Sequence, residues 1–148
     1  MKVINSPIKH LIEDTIHLKT GDFYFFKDFI IAEFKEGSHI SFNEFEEVME
    51  LGKKKYKLEN DKLNSVPIGF ISNRIHSYSV DLIDMFKNSK FTNQLSAYAI
   101  VSYSEVTRKF LSLEDQYFVI PRQKFNNLLE AVDWVESEIK IKTAMYNK

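Results

Sequence analysis

Between Phe23 and Phe34 nearly every position is aromatic or branched. Phe23-Tyr24-Phe25-Phe26 is followed by the polar pair Lys27-Asp28 and then by Phe29-Ile30-Ile31-Ala32-Glu33-Phe34. Such density suits paired strands. Lys27-Asp28 between the runs reads as a tight hairpin turn, although it lacks the glycine preferred there. A weaker alternation before it predicts a first strand over Thr15–Lys19, with Thr20-Gly21-Asp22 as a turn. Glu36-Gly37 closes the second arm of the hairpin.

Helical spacing follows. Ser41-Phe42-Asn43-Glu44 is a capping-box pattern. Phe42, Phe45, Val48, Met49 and Leu51 or Gly52 then recur at three and four residues, predicting a helix to about Tyr56. Its outer face carries Glu46, Glu47 and Glu50 and later Lys53-Lys54-Lys55, acid early and base late, as the helix dipole favours. Val66–Ser72 and Ala97–Ser102 are short apolar runs of the kind that form strands covered on both faces. Pro67 belongs at the start of the first, where its missing N–H does little harm. The 73–79 stretch is a polar loop, and Leu82, Ile83 and Phe86 predict a short helix over Val80–Asn88. Glu105–Leu113 is helical behind Ser104, a short edge strand falls near Gln123–Phe125, and Asn127 caps a last helix over Leu128–Ile139. The reading is one α/β domain spanning residues 1–148, with its core over 15–139 and a flexible tail over 140–148. It predicts a mixed β-sheet with an N-terminal antiparallel hairpin and about four α-helices.

Composition narrows the class. With 148 residues and 44% hydrophobic content, the chain can build one core without disulfide or metal staples. A net charge of −1 and a pI near 6.4 argue against a general nucleic-acid binder. Absence of cysteine removes disulfides, zinc-thiolate sites and cysteine nucleophiles. Met1–Pro7 holds no apolar signal core, and Phe29–Ala32 is far too short to span a bilayer, so a cytoplasmic protein without a transmembrane segment is expected.

The thirteen Phe raise a question of cover, because alternate residues of a strand face opposite ways. Either both faces of the hairpin are buried, or one is an exposed aromatic strip for a partner. The edge of the hairpin is also a candidate for pairing with a second copy, as a homodimer.

The order hairpin, helix, strand, helix, strand, helix, short strand, helix resembles the STAS or SpoIIAA-like fold of anti-sigma-factor antagonists and the related STAS/SEC14 group. Phe25–Phe34 fits the early hairpin of that group. Arg122-Gln123-Lys124-Phe125 followed by Leu129-Glu130-Ala131-Val132-Asp133-Trp134-Val135 is similar to its closing strand and "EA..W" helix. The resemblance implies a bacterial, non-enzymatic regulatory or protein-interaction module with a protein partner and no cofactor. Its SEC14-like side implies, as the alternative, a small-molecule or lipid-binding module for an apolar or anionic ligand. In the antagonists, the loop after the second central strand carries a phosphorylated Ser or Thr in an Asp-Ser-Ser/Thr-Gly context. Here that region reads Ser72-Asn73-Arg74-Ile75-His76-Ser77-Tyr78-Ser79-Val80-Asp81, which lacks the motif and its glycine.

That loop is nevertheless the best site, since open α/β sheets bind ligands where strands give way to helices. The candidate contacts are Asn73, Arg74, His76, Ser77, Tyr78 and Ser79, joined by Tyr103 and Arg108 from the next strand-to-helix loop. Arg74 is suited to an anion, Ser77 is the candidate for phosphorylation, and Ser79 is either a contact or simply a helix cap at Val80. Arg74, Tyr103 and Arg108 either converge at one end of the sheet or are unrelated exposed residues. Chemistry elsewhere is thin. His10, His17, His39 and His76 show no metal-clamp spacing, and no metal site is expected. There is no GxSxG elbow, and the four glycines are isolated, which removes phosphate-cradling loops. A Ser/His/Asp arrangement around His76, Ser77 and Asp81 is the remaining enzymatic reading. Trp134, at helical spacing with Leu128, Ala131 and Val135, reads as core or rim packing.

Overall fold

The computed structural model describes residues 1–55, 67–76, 78–80, 95–111, 115 and 120–146. In chain order the strands are β1 (Asp14–Leu18), β2 (Gly21–Phe25), β3 (Phe29–Phe34), β4 (His39–Ile40), β5 (Gly69–Arg74), β6 (Ser79–Val80), β7 (Ala97–Ser102) and β8 (Arg122–Phe125). The helices are α1 (Phe42–Lys55), α2 (Glu105–Leu111) and α3 (Leu128–Tyr146). One sheet runs β1-β2-β3-β5-β7-β8, antiparallel through β3 and parallel from β3 onward. β4 and β6 form a separate parallel pair. The mixed α/β architecture and the antiparallel start are those the hydrophobic pattern predicts.

The aromatic hairpin closes at Lys27-Asp28, where the Phe26 N–H donates to the Phe29 carbonyl at 2.9 Å. The preceding turn differs from expectation. Leu18 pairs with Gly21, so Lys19-Thr20 makes the turn and Gly21-Asp22 belongs to β2. The glycine serves a close approach instead: a Cβ on Gly21 would lie 2.6 Å from the Glu33 carbonyl oxygen and 2.8 Å from Phe34 Cα. Because β1 lies outside β2, the outer strands of the sheet among the described residues are β1 and β8, and the hairpin is not an edge open to a second copy.

Alternation sends the hairpin side chains to both faces, and both are covered. Tyr24, Phe26, Phe29 and Ile31 join Ile71, Ala97, Ala99 and Val101 under Leu128, Ala131, Val135 and Ile139 of α3. Phe23, Phe25, Ile30, Ala32 and Phe34 join Ile68, Phe70 and Leu95 on the opposite face, with Val48 of α1. Every residue of β3 is buried, so the hairpin is internal and not an exposed aromatic strip. Trp134 packs at the rim of the α3 face, its ring 5.7 Å from that of Phe125.

Small residues set how closely α3 sits. Ala97 and Ala99 present little bulk, and a Cβ on Gly69 would collide with Val135 and reach 3.3 Å from Ile139 Cδ1. The helix begins where the sequence indicates: Asn127 Oδ1 accepts from the N–H of Leu129 at 2.9 Å and of Glu130 at 3.2 Å. It does not end near Ile139. It continues to Tyr146, so residues 140–146 of the expected tail are helical. Nothing between Lys140 and Tyr146 is a helix breaker, and the Thr143 hydroxyl donates to the Ile139 carbonyl at 2.8 Å. α2 starts behind Ser104, whose Oγ accepts from the Thr107 N–H at 3.3 Å. The helix expected over 80–88 does not start at Val80, which lies in β6, and residues 81–94 lie outside the described residues. No helix among the described residues is long and apolar enough to cross a membrane.

Gly69→Ala should destabilise the protein by about 1–3 kcal/mol through overpacking under α3. In urea denaturation the double variant with Val135→Ala should lose less than the two single losses together, by about 0.5 kcal/mol or more. Strict additivity would show that the helix is not seated on that glycine.

Candidate functional site

β3, β5 and β7 run in parallel, so their C-terminal ends open side by side. There the loop after β5 and the turn after β7 enclose a cleft of about 380 Å³, lined by Arg74, Ile75, His76, Tyr78, Ser102, Tyr103, Ser104 and Thr107. Register explains the meeting: Arg74, the last residue of β5, pairs with Ser102, the last of β7.

One wall is built on Tyr78. Its ring packs 5.0 Å from that of Phe34, at the end of β3, and its hydroxyl shares a hydrogen bond with Ser72. The Arg74 guanidinium lies over the same ring, 4.3 Å from its centroid, and Arg74 Nε donates to the Tyr78 hydroxyl at 3.0 Å. The cation–π contact and this hydrogen bond together hold the guanidinium against Tyr78. The facing wall is the β7–α2 turn. Arg108 Nη1 donates to the Ser102 carbonyl at 2.5 Å, and Ser102 Oγ and the Ser104 main chain meet at 3.4 Å.

Beneath the cleft, on the α3 side of the sheet, sits a buried carboxylate. Glu33 is 5% exposed, and its Oε2 accepts from the Val3 N–H at 2.9 Å and from Asn73 Nδ2 at 2.8 Å. Asn73 Nδ2 also donates to the Met1 carbonyl at 2.8 Å. The Tyr103 hydroxyl donates toward Asn73 Oδ1 at 2.9 Å, with the Met1 carbonyl at 3.3 Å. Burial raises the Glu33 carboxyl above the ordinary range, against the lowering effect of its hydrogen bonds from Val3 and Asn73. Burial, and then the nearby Glu33 charge, raises the Tyr103 phenol. The Val3–Asn5 turn is thereby fastened across the end of the sheet.

Arg74, His76, Tyr78 and Tyr103 meet in the cleft as the sequence suggests, and His76 and Tyr103 are exposed at its rim. Arg108 lies beside the group but spends Nη1 on the wall it supports, and it is not a lining residue. Asn73 is a correction: at 1% exposure it is a buried strut between Glu33 and Tyr103, because alternation along β5 turns it away from Arg74. Ser79 is another, since it pairs with His39 in the β4–β6 ladder and does not cap a helix at Val80. Ser77 and Asp81 lie outside the described residues.

Sequence reasoning passed over Ser102 and Thr107, for which no pattern spoke, gave Ser104 only as a helix cap, and missed the role of Glu33, for which a pattern did speak. In β3, Glu33 shares a face with Phe29 and Ile31, and a carboxylate on a buried face needs partners.

A second cleft, of about 360 Å³, opens at the other end of the sheet near Phe26 and Phe29. It mixes Glu13, Asp28 and Glu136 with Lys27 and Lys140. Among the described residues no group of three or more His, Asp or Glu is placed to hold a metal ion.

No protein-family model matches the chain, and no curated protein matches it. Among solved structures it is similar to an uncharacterised protein of the DUF3478 family with a SpoIIAA-like fold from Shewanella loihica PV-4. The identity is 12% and the TM-score 0.49, covering 82% of this chain and 90% of that one. At that distance the likeness is one of outline. The α/β architecture rests on its own strand order and register.

The raised carboxyl makes a linkage prediction. Above the ordinary glutamate range the unfolded chain has already lost this proton while the folded chain still holds it, so Glu33 lowers stability as pH rises toward its folded value. Urea denaturation from about pH 4 to about pH 8 should show Glu33→Gln losing less stability with rising pH than the parent protein. Parallel pH profiles would mean that Glu33 ionises in the folded protein as it does in the unfolded chain.

Proposed function

We propose that this chain is a non-catalytic, cytoplasmic binding module of a regulatory kind, which receives a segment of a protein partner in the cleft at the ends of β5 and β7. The observation that carries this reading is the convergence of Arg74, Tyr78 and Tyr103 on one concavity. Arg and Tyr are the residue types over-represented where binding energy concentrates in protein interfaces. Two of the three are already fixed, Tyr78 between Phe34 and Arg74, and Tyr103 by Asn73. Side chains ordered before binding lose little entropy on binding.

The hydroxyls of the cleft support a non-catalytic role. Ser102 Oγ meets the Ser104 main chain and Ser104 Oγ accepts from the Thr107 N–H. Among the described residues neither is paired with a base, as activation of a nucleophile requires. A small-molecule reading draws on the cleft volume, which falls within the usual range of about 300–1,000 Å³. For a lipid tail the lining is too rich in hydroxyls.

Tagged protein recovered from its native cells should carry a stoichiometric partner, identified by mass spectrometry. Arg74→Ala and Tyr103→Ala should each lose that partner while the protein still melts cooperatively. A partner retained by both folded variants would place the binding surface elsewhere.

A further inference from the structure

Residues 1–5 form a strap across the end of the sheet, and few contacts hold it. Of the five only Val3 is buried, with Lys2, Ile4 and Asn5 exposed around it. A segment that buries so little belongs to the part of a fold that opens at low cost. Its polar attachments to the sheet run through its main chain. The Val3 N–H donates to Glu33 Oε2 at 2.9 Å, and the Met1 carbonyl lies 2.8 Å from Asn73 Nδ2 and 3.3 Å from the Tyr103 hydroxyl.

Glu33 is the catch. One of its oxygens, Oε2, accepts from both the Val3 N–H and Asn73 Nδ2, so a single atom joins the strap to β3 and β5. Lys2 and Ile4 also wall a gap of about 80 Å³ that Glu33, Asp22 and Tyr24 line from the sheet. Lifting the strap opens that gap and lets water reach the carboxylate.

The charges around Glu33 come from every element packed there. Asp22 stands opposite it in the β2–β3 register, bonded in turn to His17 Nδ1 at 2.7 Å. Tyr24 of β2, Tyr103 after β7 and Lys2 of the strap are its other near neighbours, with Lys35 and His76 lining the same gap. Under the closed strap Glu33 is 5% exposed, where a charged carboxylate costs far more than a neutral one. Under an open strap water solvates the charge. Closure therefore binds the proton more tightly, and it weakens as pH rises through the value of the closed form. The lift that burial gives to the Glu33 carboxyl, opposed by its hydrogen bonds and by Lys2, has the same sign.

We propose that the 1–5 strap is a pH-sensitive latch, fastened over Glu33 while that side chain holds a proton and lifted when the carboxylate forms. Opening withdraws the Met1 carbonyl that, beside Asn73, meets the Tyr103 hydroxyl at the rim of the cleft. The latch stands apart from the question of what the cleft receives.

The test follows the intact chain, labelled with 15N and 13C, from about pH 4 to about pH 8. The Glu33 side-chain carboxyl carbon reports its ionisation, and amide relaxation reports order in the strap. Order parameters of Lys2 to Asn5 should fall from about 0.85 to below about 0.6, with the midpoint of the Glu33 carbon. The Tyr103 ring signals should shift at that same midpoint. Glu33→Gln, whose amide oxygen accepts the same two bonds, should keep the strap ordered throughout. His17→Asn should leave the transition in place.

Tyr103→Phe removes the hydroxyl beside the Met1 carbonyl, so its strap should open at lower pH than that of the parent protein. This variant carries the comparison if Glu33→Gln does not fold. A strap ordered across the whole range would overturn the latch. So would a transition that persists in Glu33→Gln, one abolished by His17→Asn, or a midpoint unmoved in Tyr103→Phe.

Discussion

Burial of β3 on both faces is the constraint from which the remaining architecture follows. Phe29 and Ile31 point one way, and Ile30, Ala32 and Phe34 the other, so neither face can be left to solvent. One layer is supplied by α3, which the small side chains of Gly69, Ala97 and Ala99 admit close to the sheet. The other includes α1, seated through Val48, with Gly52 against Ile30 and Phe25. A strand so enclosed belongs in the interior of a sheet, and β3 is where antiparallel pairing gives way to parallel.

The same constraint creates the site. Parallel strands bring their C-terminal ends into one row, and alternation then divides the side chains there between two roles. Ser72 and Arg74 turn toward Tyr78 and build the cleft, whereas Asn73 turns under it to meet Glu33. Glu33 has the burial of a core residue with the needs of a carboxylate. The Val3 N–H and Asn73 answer those needs, tying the start of the chain to the foundation of Tyr103. The cleft therefore stands on a satisfied polar network, which favours a rigid recognition surface.

Much of the fold was legible because it depends on local signals. Density of aromatic residues marked the hairpin, Asn127 and Ser104 marked helix starts, and Ala97–Ser102 read directly as a buried strand. Among the described residues the element order, from hairpin to last helix, matched except for the β4–β6 pair, which no local pattern announced. What failed depended on contacts distant in sequence. Gly21 looks like a turn residue, but its need is the approach of the β3 backbone, and no local pattern shows that. Nothing in the sequence marked the extension of α3 past Ile139, since Lys140–Tyr146 is polar enough to resemble a tail. Ser79 resembled a cap because its pairing partner, His39, is distant in sequence and no local pattern shows it. The cleft lies at the loop after a central strand that the sequence singles out, and Arg74 and Tyr103 both line it. The division of labour between Asn73 and Arg74 requires the strand register, which fixes which of two neighbours faces the cleft.

Site-specific photocrosslinking in the native cell tests the central claim, that this protein binds through the cleft at the ends of β5 and β7. A photoreactive phenylalanine analogue would replace Tyr103 at the cleft rim in one strain, Thr15 on the β1 edge in a second and Ile141 on the exposed end of α3 in a third. A discrete adduct at position 103 alone is the expected result. Adducts at position 15 or 141 with none at 103 would contradict it and move the binding surface to the sheet edge or the helix.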